Sequence, residues 1–367
     1  MRHLLPALGL FVVATACVAQ VGEAPAESND AVVVDTSSVA SRAQYDADVA
    51  FIKSYVPHCK PSSSGRPRVL VTGFGRFLST EDNATGRIVS KLVPAATYPV
   101  THQPAAGKVD LPGPQTSVAL GKVTLPVAGD VDVCAMIVPV YWDLAAILVA
   151  KEIDAFGPSV VVMNGIADSV QDLWLELGTV NRAMPEVDGS NHLVPIAGPN
   201  GQQTKLVPSA SKADDARGLL LSYKVVESAT RNEIAARAGH LEGGVRFGDV
   251  LTGASLAGFP RTGNTYLCNN IAYTVDYLMD NPHTAITLLK ASKPVQGRTN
   301  AVTVSVTRDV RAVPRVFFHW PSTLTGSHVD DAAHVLEAAL DAQLTTKTAA
   351  TRGNNAIAEI QSTGGTF

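Results

Sequence analysis

Residues 142–165 read WDLAAILVAKEIDAFGPSVVVMNG, and this stretch decides the fold. Its first part gathers apolar residues on one face at helical spacing and meets a glycine at 157, where a helix can end. Its second part, SVVVMNG, is a continuous apolar run with no polar alternation. A strand of that kind has no face left for water. It is buried on both sides, as strands of a parallel sheet are when helices cover both faces.

The alternation repeats in both directions. RVLVTGF (68–74) is a second buried strand, and NATGRIVSKLV (83–93) after it is a helix with Asn83 as its cap. KVTLPVA (122–128) and VCAMIVPV (133–140) read as strands, and DLWLELGTVN (172–181) as an alternating one. AVTVSVTRDV (301–310) and RVFFHWP (315–321) are strand-like. SHVDDAAHVLEAALDAQL (327–344) is an amphipathic helix, with Ser327 as the expected cap and Asp330 in its first turn. The expected fold is α/β: three layers, doubly wound, a mostly parallel sheet with helices on both faces. No internal repeat is visible.

The ends bound the domain. Residues 1–19 carry a short basic start and an apolar core from Leu4 to Val13, too short for a membrane span, and read as a signal peptide. The expected destination is secreted or periplasmic. Cys17 after ATA resembles a weak bacterial lipoprotein box that lacks the usual leucine, Ala14 standing in its place. Residues 20–42 read as a disordered leader, 43–345 as one domain opening with a helix at 43–56, and 346–367 as a flexible tail. The stretch 183–260 is rich in Gly, Pro and polar residues and reads as an insertion with one helix near 224–238. The net charge of -4 and the lack of any basic block argue against nucleic acid as a partner.

Four cysteines are present, and Cys17 lies in or beside the signal. Three pairings of Cys59, Cys134 and Cys268 are open. A Cys59–Cys134 bridge would staple the N-terminal arm to the sheet and leave Cys268 as the free thiol. Cys268 opens a helix after RTGN, and a helix N-terminus favours a thiolate. His319 ends an apolar strand, at the rim where helix starts also lie. Glu176 is the lone acid in its strand, and a buried carboxylate needs a partner. Nucleophile, base and orienting acid are the parts of a cysteine hydrolase.

Four segments quoted together resemble the pyroglutamyl peptidase I family, cysteine peptidases also called pyrrolidone-carboxylate peptidases. They are VLVTGFGRFLSTEDNATGRIV (69–89), PSVVVMNGIADSVQDLWLELGTVNR (158–182), GNTYLCNNIAY (263–273) and VFFHWP (316–321). The resemblance implies Cys268 as nucleophile, His319 as base and acid, and Glu176 as its partner. It also implies Phe74, Phe77 and Tyr266 as walls of the pocket for the pyroglutamyl ring, and Arg182 near it. The substrate it implies is a peptide with a blocked or small N-terminal residue, with no cofactor. Members commonly self-associate, so a homo-oligomer is a further expectation.

The chain departs from the family pattern. Ile166 stands where a glutamine follows the glycine at 165, and RAMPEVDGSN (182–191) replaces the usual RIPDN run. A secreted binding protein of weak or no activity on the same fold is therefore the competing expectation. A dinucleotide site is not expected, because Leu78 occupies the third glycine position of the TGFGRF loop. Metal catalysis is not expected either: the nine histidines form no H-E-x-x-H or comparable sequence cluster.

Overall fold

The computed structural model describes residues 32–355, apart from 62–64, 79, 100–101, 168–169, 199–200, 202, 260–264, 298–301 and 325–327. Its centre is a mixed sheet in the order β12 (Ala254–Ala257), β6 (Leu173–Glu176), β16 (Arg315–Pro321), β5 (Val160–Ala167), β2 (Arg68–Phe74), β4 (Gly129–Val138), β3 (Ser117–Leu125). Strands β16, β5, β2 and β4 are mutually parallel. The edges reverse: β3 runs antiparallel to β4, and β6 antiparallel to β16 with β12 parallel beside it. Short β9 (Leu220–Leu221) bridges β16 to β17 (Thr351–Arg352). Four two-stranded pairs lie outside: β1 (Val33–Val34) with β14 (Lys290–Ala291), β7 (Gly178–Val180) with β8 (Ala216–Gly218), β10 (Leu241–Glu242) with β11 (Val245–Arg246), and β13 (Ile286–Leu288) with β15 (Val302–Val304).

Side-chain alternation sorts the core into two layers. In β4, Cys134, Met136 and Val138 face the layer containing α1 (Val39–Ser54), α3 (Leu144–Phe156) and α6 (Leu267–Asp280). The intervening Val133, Ala135 and Ile137 face the layer of α2 (Ala84–Leu92), α4 (Tyr223–Arg237), α5 (Phe247–Val250) and α7 (Val329–Thr345). The sheet is thus covered on both faces, and the α/β class expected from the sequence holds.

Cys59 and Cys134 are disulfide-bonded, joining the segment after α1 to β4 across 75 residues. Closing a loop of that length stabilises the fold by about 4 kcal/mol on the chain-entropy model. Buried Glu152 on α3 seats the same arm, accepting hydrogen bonds from the Tyr55 hydroxyl (2.5 Å) and the N–H groups of His58 and Cys59 (2.8 and 2.9 Å).

Several boundaries differ from the sequence reading. The leader expected to stay loose to residue 42 is ordered from 32: Val34 is fully buried, β1 pairs with β14, and a Ser38–Ser41 capping box starts α1 at Val39. The stretch 183–260 is not wholly an insertion, since β9 and β12 within it join the central sheet. The tail is held as far as β17 by pairing with β9. DLWLELGTVN splits at Leu177 into β6 and β7, which belong to different sheets. Strand β15 pairs with β13 off the main sheet. The signal segment, Cys17 and Ser327 lie outside the described residues. At the start of α7, His328 holds the N-cap position with a left-handed φ of 60°.

Candidate active site

The sheet parity that sorts the core also aims the candidate residues. On β16, Val316, Phe318 and Trp320 face the α2/α7 layer, so His319 shares the opposite face with Phe317. On β6, Leu173 and Leu175 face the α2/α7 layer, so Glu176 also points to the α6 side. Helix α6 lies on that side and carries Cys268 in its first turn. Three residues from three distant segments therefore meet because each has the right parity.

His319 Nδ1 lies 2.6 Å from Glu176 Oε1, and both side chains are buried. The imidazole also interacts with the Cys268 sulfur, which favours its charged form. With Nδ1 taken by the carboxylate, Nε2 is the nitrogen left for the sulfur. Burial pushes the His319 pKa down, but the charge and hydrogen bond of the Cys268 sulfur, then those of Glu176, outweigh it. The net result is a pKa raised to about 9. His319 is therefore an imidazolium at neutral pH, held between two groups that favour its positive charge.

Gly165 makes room for the sulfur. It sits opposite His319 in the β5–β16 register, and a Cβ there would lie 2.7 Å from Cys268 Sγ and 2.8 Å from a Phe317 ring carbon. Any larger residue must displace one of them. The start of α6 is clamped by two side chains whose roles the sequence reading missed. Asn269 hydrogen-bonds both the N–H and the C=O of Val180 (2.9 and 2.8 Å). Asn270 exchanges bonds with Asp143, accepting its N–H at 3.0 Å and donating to Oδ1 at 2.8 Å. Asp143 Oδ2 accepts from Leu289 N–H at 2.7 Å, and burial raises its pKa to about 6 despite these bonds. The adjacent asparagines after Cys268 were the available signal, since two amides in a buried helix turn need partners. The first intrahelical bond, Asn270 N–H to Tyr266 O at 2.9 Å, leaves the N–H groups ahead of it at the helix end.

A cavity of about 510 Å³ opens beside Cys268 and is walled by Phe74, Phe77, Tyr266, Ile166 and Leu324. Tyr266 is held edge-on between Phe77 and Trp142, at centroid distances of 5.9 and 5.5 Å, and its hydroxyl donates to the Val187 carbonyl. That hydroxyl is thereby used in fixing the wall. Asn83 also lines the cavity, and its Oδ1 caps α2 through Thr85 N–H at 3.1 Å. Arg182 does not join the lining: its side chain is exposed, and only its carbonyl touches α6, through Asn269 at 3.1 Å.

No protein-family model matches the chain, and no curated protein matches it. Among solved structures, the chain is similar to pyroglutamyl peptidase I of Bacillus amyloliquefaciens, with 14% identity, a TM-score of 0.43, and coverage of 77% of this chain and 98% of that one. It is similar to a mutant pyrrolidone carboxyl peptidase of Pyrococcus furiosus at 15% identity and a TM-score of 0.44, covering 76% and 98%. It is also similar to the pyrrolidone carboxyl peptidase of Thermococcus litoralis at 15% and 0.43, covering 76% and 93%.

Proposed function

We propose that the protein is an exported cysteine peptidase that removes a pyroglutamyl group, or a similar small cyclic or apolar residue, from the N-terminus of peptides. The observation that carries this reading is the line of interactions from Glu176 through His319 to Cys268, whose side chain lines a cavity walled by Phe74, Phe77, Tyr266 and Ile166. Burial, parity and a glycine that admits the sulfur all serve that arrangement.

The chemistry follows from the geometry. The Cys268 thiolate attacks the carbonyl carbon of the first residue, forming the C–S bond. The resulting oxyanion is met by the N–H groups at the start of α6. His319 gives its Nε2 proton to the departing amine as the C–N bond breaks, which leaves a thioester and the shortened peptide. The now neutral His319 takes a proton from water, the hydroxide carbon–oxygen bond forms, and the sulfur leaves as thiolate with His319 protonated again. Glu176 fixes the ring through Nδ1 and stabilises its charge in each protonated stage.

The aromatic walls suit a flat, uncharged ring. Ile166 adds neither donor nor acceptor to the cavity, so discrimination by the lactam edge is expected to be weak. Export is supported by the disulfide, which belongs to an oxidising compartment. The test is a panel of fluorogenic N-terminal residues on purified protein. Cleavage of the pyroglutamyl or prolyl member, abolished in Cys268→Ala, supports the proposal. Cleavage that survives Cys268→Ala, or none of any member by the folded protein, overturns it.

A further inference from the structure

On the α2/α7 side of the sheet, two histidines converge on one carboxylate oxygen. His240 directly precedes the β10/β11 hairpin, while His328 and Asp331 stand at the N-cap and in the first turn of α7. Asp331 Oδ2 lies 2.6 Å from His240 Nδ1, 91 residues away in sequence, and 2.9 Å from His328 Nδ1. Glu242, on the same hairpin, places Oε2 3.9 Å from His328 Nδ1 while accepting the His328 N–H at 2.7 Å.

The hydrogen-bond accounting at His328 identifies what the cluster needs. Its Nε2 is 2.9 Å from the Val245 carbonyl oxygen. A carbonyl only accepts, so Nε2 carries hydrogen. A neutral imidazole has one N–H, and His328 then presents the Nδ1 lone pair to the lone pairs of Asp331. His328 and Asp331 are buried, so water does not relieve that opposition. Something positive must stand among these atoms. A second proton on His328 is one answer. The other answer accounts for more of the arrangement, because His240 Nδ1 is turned to the same Asp331 oxygen.

We propose that His240 Nδ1, His328 Nδ1 and Asp331 Oδ2 form a structural site for a divalent cation of the zinc class, with the fourth position taken by water. All three ligand atoms of the core set lie within 4.8 Å of one another. Ligands around a tetrahedral zinc, with bonds of about 2.0–2.2 Å, stand about 3.4 Å apart. The Asp331 oxygen stands 2.6 and 2.9 Å from the two imidazole nitrogens, so an ion enters by parting these contacts by about 0.5–0.8 Å. The groups that orient metal ligands from behind are already in place. Val245 O holds His328 Nε2, and Arg237 holds the second oxygen of Asp331 at 3.1 Å. His240 is half-exposed, which gives the ion a way in. The Asp331 carboxylate offsets part of the charge of the ion. The site would clip the hairpin to the start of α7. It is separate from the reaction proposed for Cys268, and its test does not read activity.

The experiment uses the full chain carrying Cys268→Ser, because the pocket thiol and His319 are themselves metal ligands. The protein is stripped with chelator, titrated with zinc, and analysed for bound metal and melting temperature. The expected result is one zinc per chain. At a hundredfold excess over Kd, Tm should rise by about 4 °C, reversed by chelator. Cobalt in its place should show visible tetrahedral bands without a thiolate charge-transfer band. His240→Ala removes an exposed side chain, so the fold survives, and should weaken zinc binding at least about tenfold. No bound zinc, or zinc held equally well by His240→Ala, overturns the proposal and leaves a proton as the cation at His328.

Discussion

His319 and His328 each turn Nδ1 toward a buried carboxylate oxygen, at 2.6 Å from Glu176 and 2.9 Å from Asp331. The pairs differ in what the second ring nitrogen meets. At His319 the other side of the ring faces a sulfur on the rim of a cavity, so a proton on Nε2 has somewhere to go. At His328 Nε2 is held by a backbone carbonyl, so that proton is fixed and the ring acts as a connector. A histidine–carboxylate contact therefore does not identify a catalytic site by itself. The two pairs are told apart by the second ring nitrogen, which at His319 faces a sulfur that lines a cavity.

The largest effect that separates the two pairs is loss of the thiol or its partner. Cys268→Ala and His319→Ala should each lower kcat/KM by several orders of magnitude while circular dichroism stays native. The double variant should be little worse than the worse single one, because the two act as a unit. Near-full activity in folded Cys268→Ala would remove the distinction.

Glu176→Gln comes next, at up to about four orders of magnitude in kcat, since the amide leaves the ring in place but neither holds its tautomer nor stabilises its charge. The pH profile sharpens the point. His319 has its pKa raised to about 9, so the protonated form that serves as acid is present below that value and is lost above it. The high-pH limb of kcat/KM should fall near 9. Glu176 is one of the groups raising this pKa, so the limb should move to lower pH in Glu176→Gln. An unmoved limb assigns it to another group.

Ile166→Gln should have a smaller effect, and on selectivity. A buried amide edge without a partner costs about 1–3 kcal/mol, or roughly one to two orders of magnitude. The wild type is expected to discriminate poorly between pyroglutamyl and prolyl substrates, and the glutamine should improve the ratio of their kcat/KM values. A wild type that already prefers pyroglutamyl several-thousandfold, with no gain from Ile166→Gln, places recognition elsewhere.

What was legible in the sequence follows the same division. Continuous apolar runs such as SVVVMNG declared burial on both faces, and alternation then fixed which way His319 and Glu176 point. Segments carrying the pocket were readable as elements, Cys268 beginning a helix and Phe74 ending a strand, while the pocket role of Phe74, Phe77 and Tyr266 came only from the family resemblance. Pairing direction was not readable. Nothing in LWLE says that β6 runs against β16, because alternation is the same in either direction. The order of residues 32–36 came from contacts with β14 and Ser292, more than 250 residues away, which local composition does not encode. The cluster at His328 is of that type too. H-x-E at 240–242 and H-x-x-D at 328–331 are unremarkable until the fold joins them.

The smallest expected effect is the counterpart of Glu176→Gln at the other pair. Asp331→Asn keeps the shape and removes the charge that faces His240, His328 and Arg237. Burial raises the Asp331 pKa, but its contacts with His240, His328 and Arg237 overcome it and hold the carboxyl below the usual range, so the native state uses the carboxylate. An amide keeps one acceptor oxygen and loses the charge that faces Arg237 and the two imidazoles. The cost should be about 1–3 kcal/mol, seen as a fall in Tm of a few degrees. If the two pairs are as different as their second nitrogens imply, this substitution lowers Tm and leaves the high-pH limb of kcat/KM near 9. A limb that moves with Asp331→Asn would mean that the start of α7 is coupled electrostatically to His319, and the contrast between the two histidines would fail.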